Sequence, residues 1–139
     1  GRMIIVRLND GKVDRRGRFW CGSMADPGDA EIASLYRFDP NHSVHRMEGS
    51  VQISNSICWS PDDTVMYFAD SRKQVVWAYD FDINGGVIEN RRVFIEVPKD
   101  EGVPDGATVD ADGFIWGAAA LNAMIRMARP NEKYCFPLR

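Results

Sequence analysis

A polar anchor recurs three times along the chain with the same neighbours around it. Asp14, Ser60 and Asp110 stand in line. Asn9, Asn55 and Asp105 fall five residues before them, Gly17, Asp63 and Gly113 three after, and Trp20, Met66 and Trp116 six after. Val13, Trp59 and Val109 place an apolar residue directly before each anchor. The copies lie 46 and then 50 residues apart and align without a gap inside the segment. A period of that size, filled with short β-type runs, marks a β-propeller, whose blades cannot bury their faces singly. Equivalent positions of successive blades face a common axis, so side chains far apart in sequence converge there.

The runs between the anchors read as strands bounded by turn chemistry. Met3 to Leu8, Phe19 to Met24, Ser34 to Asp39 and Val44 to Met47 form a first group, with a longer loop over Met24 to Ala33. Gln52 to Trp59, Val65 to Ala69, Val75 to Phe81 and Arg92 to Val97 form a second, and Asn84-Gly85-Gly86 signals a hairpin inside it. Gly106 to Val109, Phe114 to Ala118, Ala123 to Ala128 and Lys133 to Leu138 form a third. The expectation is an all-β propeller of four-stranded blades, near 3–49, 50–98 and 102–139, in one partial domain over 1–139. Propellers close with four to eight blades. Three copies leave open edges, which are read as a piece of a longer ring or as surfaces for self-association.

Composition narrows the partners. A net charge of −3 gives no field that gathers nucleic acid or an anionic membrane. The apolar runs are too short to cross a bilayer. Lys12, Arg15, Arg16 and Arg18 flank a glycine and read as a solvated loop, since a phosphate-binding patch needs a wider basic surface. Cys21, Cys58 and Cys135 are odd in number, with no CxxC and no Cys/His cluster. They read as free thiols of a reducing, cytoplasmic compartment rather than a thiolate zinc site.

The oxygen-bearing residues of the repeat carry the chemistry. Asn55 lies between Ser54 and Ser56 ahead of an apolar strand, and Asp105 lies in Val103-Pro104-Asp105-Gly106. Either alone passes for an ordinary turn residue. Their shared register with Asn9 makes them candidates for a hard metal ion, which takes oxygen ligands. Asn9 itself precedes Asp10-Gly11, a turn-like pair. Arg7 is two residues from Asn9 and leaves a strand on the same face, where a guanidinium donates to sugar hydroxyls or an oxyanion. Asp14, Asp110, Gly17 and Gly113 recur as D-x-x-G turns and read as scaffold. No histidine stands near a serine in the pattern, so no serine nucleophile is indicated.

Four stretches resemble the regucalcin/gluconolactonase family of six-bladed propellers, the senescence-marker-protein group. They are Arg7-Leu-Asn-Asp-Gly-Lys-Val-Asp-Arg-Arg-Gly-Arg-Phe-Trp20, Ile53-Ser-Asn-Ser-Ile-Cys-Trp-Ser-Pro-Asp62, Met66-Tyr-Phe-Ala-Asp-Ser71 and Gly102-Val-Pro-Asp-Gly-Ala-Thr-Val-Asp110. The resemblance implies hydrolysis of sugar lactones with a central divalent metal, calcium first and zinc, manganese or magnesium as alternatives. By position, Asn55 and Asp105 match metal ligands, Asp105 also the general base, and Arg7 and Asn9 match substrate-binding residues. The resemblance further implies a glutamate ligand from a first blade, for which this chain has no counterpart. Ser56 and Asp63 stand where the family usually has glycine. The rival expectations are a calcium-binding or protein-docking propeller without catalysis, and an enzyme on the same scaffold with another ester or an organophosphate as substrate.

Overall fold

The computed structural model describes residues 3–119 and 123–127. Three antiparallel sheets hold most of them. Strands β1 (Ile5–Val13), β2 (Phe19–Asp26), β3 (Ala33–Phe38) and β4 (Val44–Val51) form the first, in the order β1-β2-β3-β4. Strands β5 (Ser54–Trp59), β6 (Val65–Asp70), β7 (Val75–Asp82) and β8 (Val87–Glu96) form the second, in the order β5-β6-β7-β8. Strands β9 (Pro104–Val109), β10 (Ile115–Ala119) and β11 (Ala123–Met127) form the third, and a 3-10 turn at Lys99–Glu101 precedes it. The expected outer strand over Lys133 to Leu138 and Cys135 lie outside the described residues.

Each sheet is a meander of sequential strands; the first two strands of each are joined by a tight turn with a suitable residue at its left-handed position, while a six-residue loop, 27–32, joins β2 to β3. Gly17 and Gly113 have φ of 82° and 85°, and Asp63 takes φ 59° at the same place in the second sheet. The Asn84-Gly85-Gly86 hairpin joins β7 to β8, with Gly86 at φ 64°. The Ala-rich stretch near residue 118 is strand on both sides, as its place in the repeat requires.

The sheets stack on one another through two apolar layers. Between the first and second, the fully buried Trp20 meets Trp59 and Phe81 edge-on, at ring-centroid distances of 6.1 and 6.0 Å. Leu35, Met66, Phe68 and Trp77 complete that layer. Removing an indole of 150–250 Å² from water contributes on the order of 4–6 kcal/mol before entropy. The approach is close: a Cβ added to Gly22 would stand 2.1 Å from Ser54 Cβ. Between the second and third sheets, Cys58, Tyr67, Val76, Ala78 and Ile95 pack on Ile115. The second sheet is therefore covered on both faces, and every residue of β5 is buried. The first sheet has one open face, where Val6, Leu8, Val13, Phe19 and Val44 are exposed.

Three expectations need correction. The repeat is not gapless. The Asp14 and Asp110 amides bond the carbonyls of Arg18 and Phe114, four residues on, whereas the Ser60 amide reaches Val65, five on. The second turn is thus one residue longer, and the ladder pairs Lys12 with Trp20, Cys58 with Tyr67 and Thr108 with Trp116. Tyr67, not Met66, is the counterpart of the two tryptophans. A slip of one residue in a strand exchanges its faces, so Met66 packs toward the first sheet instead.

Nor does the chain turn at Asn9-Asp10-Gly11. Strand β1 runs through it to Val13, and the pairing with β2 shifts between Leu8 and Gly11 as a β-bulge. The basic cluster is a solvated loop only in part: Arg15 and Arg16 are exposed, but their guanidinium groups and that of Arg18 have protein partners. Arg18 is buried, paired to Asp14 at 2.8 Å and bonded to the Ile83 carbonyl. Arg15 donates to the Ser60 carbonyl at 3.1 Å and pairs with Asp63, and Arg16 reaches Asn84 Oδ1 at 2.9 Å. The repeat brings a neighbouring sheet's turn within reach of each guanidinium, and fixed carbonyls replace water as acceptors.

Candidate functional site

Three edge strands, one from each sheet, line up side by side: β5 lies against β1 on one flank and β9 on the other. Lys12 spans the set, its Nζ donating to the Ala107 carbonyl on β9 at 3.0 Å. The first and third of these strands therefore come within one side chain of each other. This is the convergence that the repeat implies.

The polar residues of the motif gather where these strands bulge. Asn9 and Asp10 form the bulge of β1, between Leu8 and Gly11. Ser56 and Ile57 form that of β5, next to Asn55, and Ser56 takes φ 57° there. Asp105 and Gly106 fall in the irregular step of β9 between its Pro104 and Ala107 pairings. A bulge leaves residues unpaired and bends the strand, which re-aims side chains.

Side-chain bonds stitch the bulges together, and they fix which atoms remain available. Ser71 Oγ donates to the Pro104 carbonyl at 2.6 Å, so its single proton is committed. The Asn55 group facing that hydroxyl, 2.7 Å away, must then be its amide nitrogen. Asn55 Oδ1 consequently points elsewhere and accepts no hydrogen bond among the described residues. The Ser56 hydroxyl donates to the Asp105 carbonyl at 2.5 Å. Asn9 Nδ2 donates to the Ser54 carbonyl at 2.9 Å, which orients that amide by the same logic. Asn55 is buried; Arg7, Asn9 and Asp105 are exposed. Among the described residues, Arg7 has only a 3.4 Å contact to the Leu8 carbonyl and Asp26 at 3.8 Å, leaving its guanidinium largely uncommitted there.

Asp10 is absent from the motif reading because Asp-Gly looks like a hairpin turn. In the structure its Oδ2 accepts the Ile57 amide at 3.1 Å and its Oδ1 the Gly11 amide at 3.0 Å. The serines Ser56 and Ser71 were likewise invisible as positioning groups. The signal that could have found them is the run of small hydroxylated residues at the bulge register.

The turns carry a scaffold of two carboxylates, the buried Asp14 and the half-buried Asp110. Asp14 Oδ1 accepts the amides of Arg16 and Arg18, at 2.9 and 3.1 Å, and its Oδ2 accepts the Trp20 indole at 2.9 Å. Asp110 repeats the arrangement with Asp112, Phe114 and Trp116. Burial alone would raise the Asp14 pKa, but the Arg18 guanidinium, the Trp20 indole and the two amides outweigh it and hold the carboxyl below its usual range. These residues are structural, as their turn spacing indicates. Cys21 and Cys58 are buried free thiols, and burial pushes Cys58 up to about 12.

The donors at the bulges are all oxygens, which suits a hard cation. Among the described residues, however, no group of three or more His, Cys, Asp or Glu side chains could hold a metal. The bulges offer the carboxylate of Asp105 and the neutral amide side chains of Asn55 and Asn9.

The family description "SMP-30/Gluconolactonase/LRE-like region" matches residues 2–136. The chain belongs to that family. Regucalcin of Danio rerio is 44% identical over 115 residues, which make up 81% of this chain and 39% of that protein. Regucalcin of Homo sapiens is 39% identical over 117 residues, with the same shares. The calcium-binding protein regucalcin of Agrobacterium tumefaciens superposes with a TM-score of 0.87 at 29% identity, over 95% of this chain and 45% of that one. A gluconolactonase of Xanthomonas campestris superposes with a TM-score of 0.71 at 25% identity, over 86% and 43%. The chain thus spans about two fifths of the curated relatives' length, and its sheets correspond to somewhat under half of a six-bladed propeller. No helix among the described residues is long and apolar enough to cross a membrane.

Proposed function

We propose that these blades belong to a metal-dependent hydrolase of sugar lactones, with Asn55 and Asp105 as metal ligands, Asp105 as general base, and Arg7 and Asn9 as substrate-binding residues. Calcium is the first choice of ion, because the donors are exclusively oxygen and flexible in number. What supports the reading is the Asn55 amide. Its oxygen is freed in one fixed orientation by a bond to Ser71, which is itself tied to the strand that carries Asp105. Family membership and the gluconolactonase among its solved relatives point the same way.

A bound divalent ion would polarise the lactone carbonyl as a Lewis acid. The rest falls to the chain's own residues. Asp105 takes the proton of the attacking water. The uncommitted Arg7 donors hold ring hydroxyls and meet the oxyanion. Asn9 has one amide hydrogen on Ser54 and one left for substrate.

A calcium-binding or docking propeller without catalysis is the second reading, favoured by the Agrobacterium protein, which is described as calcium-binding. One experiment separates the two: pH-stat titration of an aldonolactone by the full-length protein, with metal added and then chelated, on wild type and Asp105→Ala. The hydrolase reading expects metal-dependent turnover that Asp105→Ala abolishes with the fold kept, since the Asp105 side chain is exposed. Retained turnover in that variant removes Asp105 from the mechanism. Calcium binding without turnover in wild type selects the second reading.

A further inference from the structure

We propose that Asp10 is a positioning residue, which holds the bulge of β5 in the shape that aims the Asn55 amide oxygen. The inference rests on the metal-site reading above and extends it to a residue with no expected role.

Two consecutive side chains of the β1 bulge grip β5 on either side of Asn55-Ser56. Asn9 Nδ2 takes the Ser54 carbonyl, just before the pair, at 2.9 Å. Asp10 Oδ2 takes the Ile57 amide, just after it, at 3.1 Å. The pair between these grips holds the strained element: Ser56 at φ 57°, in the left-handed region that an L-residue with a side chain enters at a cost of about 1 kcal/mol or more. A residue persists there only when its surroundings over-determine it. The Ile57 amide falls in the bulge, where β6 offers no regular ladder pairing. Asp10 supplies its acceptor from the neighbouring sheet.

Asp10 is itself pinned, because its other oxygen holds the Gly11 amide at 3.0 Å across its own bulge. Both oxygens thus serve backbone amides, which suits positioning better than direct ligation. From Ile57 the constraint runs outward through Ser56 to the Asp105 carbonyl and through Asn55 and Ser71 to the Pro104 carbonyl. One carboxylate on the first sheet therefore governs the relation between the two metal-ligand candidates on the second and third. Groups that orient ligands in this way typically alter metal affinity 10- to 100-fold when removed.

The test uses the full-length protein and its Asp10→Asn and Asp10→Ala variants, with three readouts. Amide hydrogen exchange at Ile57 reports the grip, calorimetric titration with calcium chloride reports the ligand set, and lactone titration reports turnover. Alanine should speed Ile57 exchange at least about tenfold and weaken calcium binding by about 10- to 100-fold, with kcat falling more than KM rises. Asparagine retains one acceptor oxygen and should recover part of both effects, a graded response that simple loss of packing would not produce. Unchanged Ile57 exchange in Asp10→Ala overturns the proposal, as does calcium affinity within about twofold of wild type, well inside that range. If wild type neither binds calcium nor turns over lactone, the functional reading fails on its own evidence. Ile57 exchange then still decides whether Asp10 holds β5.

Discussion

Ser71 stands between Asn55 and the strand that carries Asp105, and its hydroxyl accepts from the Asn55 amide because its own proton is spent on Pro104. That ordering decides which end of the amide is left over. Ser71→Ala removes the acceptor, so the amide gains freedom to turn its nitrogen outward. The expected result is calcium binding weakened by about tenfold, with a stability loss of about 1–3 kcal/mol from the buried groups left unpaired. Ser71→Thr keeps the hydroxyl and should bind nearly as wild type. Calorimetric titration of the three proteins checks this, and equal affinities would show that Ser71 does not orient the amide.

Asp14 makes the fold sensitive to acid. Burial pushes its pKa up, but the hydrogen bonds from Arg18, Trp20 and two amides outweigh that push and hold the folded value below the ordinary aspartate range. A depressed folded value means that the stabilisation is fully present above the unfolded pKa and is lost as pH falls through the folded one. Asp14→Asn should therefore cost about 2 kcal/mol at pH 7, where the charge-assisted bonds are complete. It should cost progressively less below about pH 4. Denaturant melts of both proteins from pH 7 down to pH 2.5 read the difference. A gap that stays constant with pH would mean that Asp14 carries no linked stability.

The second sheet has a serine where its neighbours have aspartate, and the consequence appears one strand away. Trp20 and Trp116 each donate to their aspartate, at 2.9 and 2.8 Å. Ser60 spends its oxygen on the Thr64 and Val65 amides. Tyr67, the structural counterpart of the tryptophans, keeps a buried hydroxyl with no hydrogen-bond partner among the described residues. Tyr67→Phe removes only that hydroxyl. The expected change lies between none and about 1 kcal/mol of stabilisation, since no bond is lost and an unsatisfied group goes. Trp20→Phe, the matched change on the first sheet, should destabilise by about 2–4 kcal/mol through the lost bond and the cavity. A Tyr67→Phe loss above about 1 kcal/mol would reveal a partner for the hydroxyl.

The Asp14 and Asp110 turns were legible in the sequence because turn chemistry is local: the carboxylate serves amides two and four residues on. The Met66 alignment failed for a physical reason. With both faces of the second sheet buried, its strands lack the apolar–polar alternation that would reveal a one-residue slip. Asn9, Asn55 and Asp105 were found through shared register, yet the bonds that orient them run between segments up to 49 residues apart, as Ser56 to Asp105 does. Arg18 was misjudged, and the partners of the exposed Arg15 and Arg16 were missed, on the same account. Their acceptors, at Ser60, Asn84 and Ile83, belong to the next sheet and leave no trace beside the arginines in sequence.

Cys58 faces the layer between the second and third sheets, and its thiol is inert for that reason. Burial raises its pKa to about 12; the Lys12 ammonium opposes the rise and Asp10 adds to it. At pH 8 a thiol of that pKa is ionised in about one molecule in 10⁴, and the thiolate is the form that reacts. Burial also raises Cys21, with the Asp10 charge adding to it. In the folded protein, peptide-resolved labelling with iodoacetamide at pH 8 should leave Cys21 and Cys58 unmodified over hours, and both should react within minutes in denaturant. Raising the pH to 9.5 should speed Cys58 by about 30-fold, in step with its thiolate fraction, which still stays below about one per cent. Rapid labelling of the folded protein at neutral pH would mean that the layer around Ile115 opens far more readily than its packing implies.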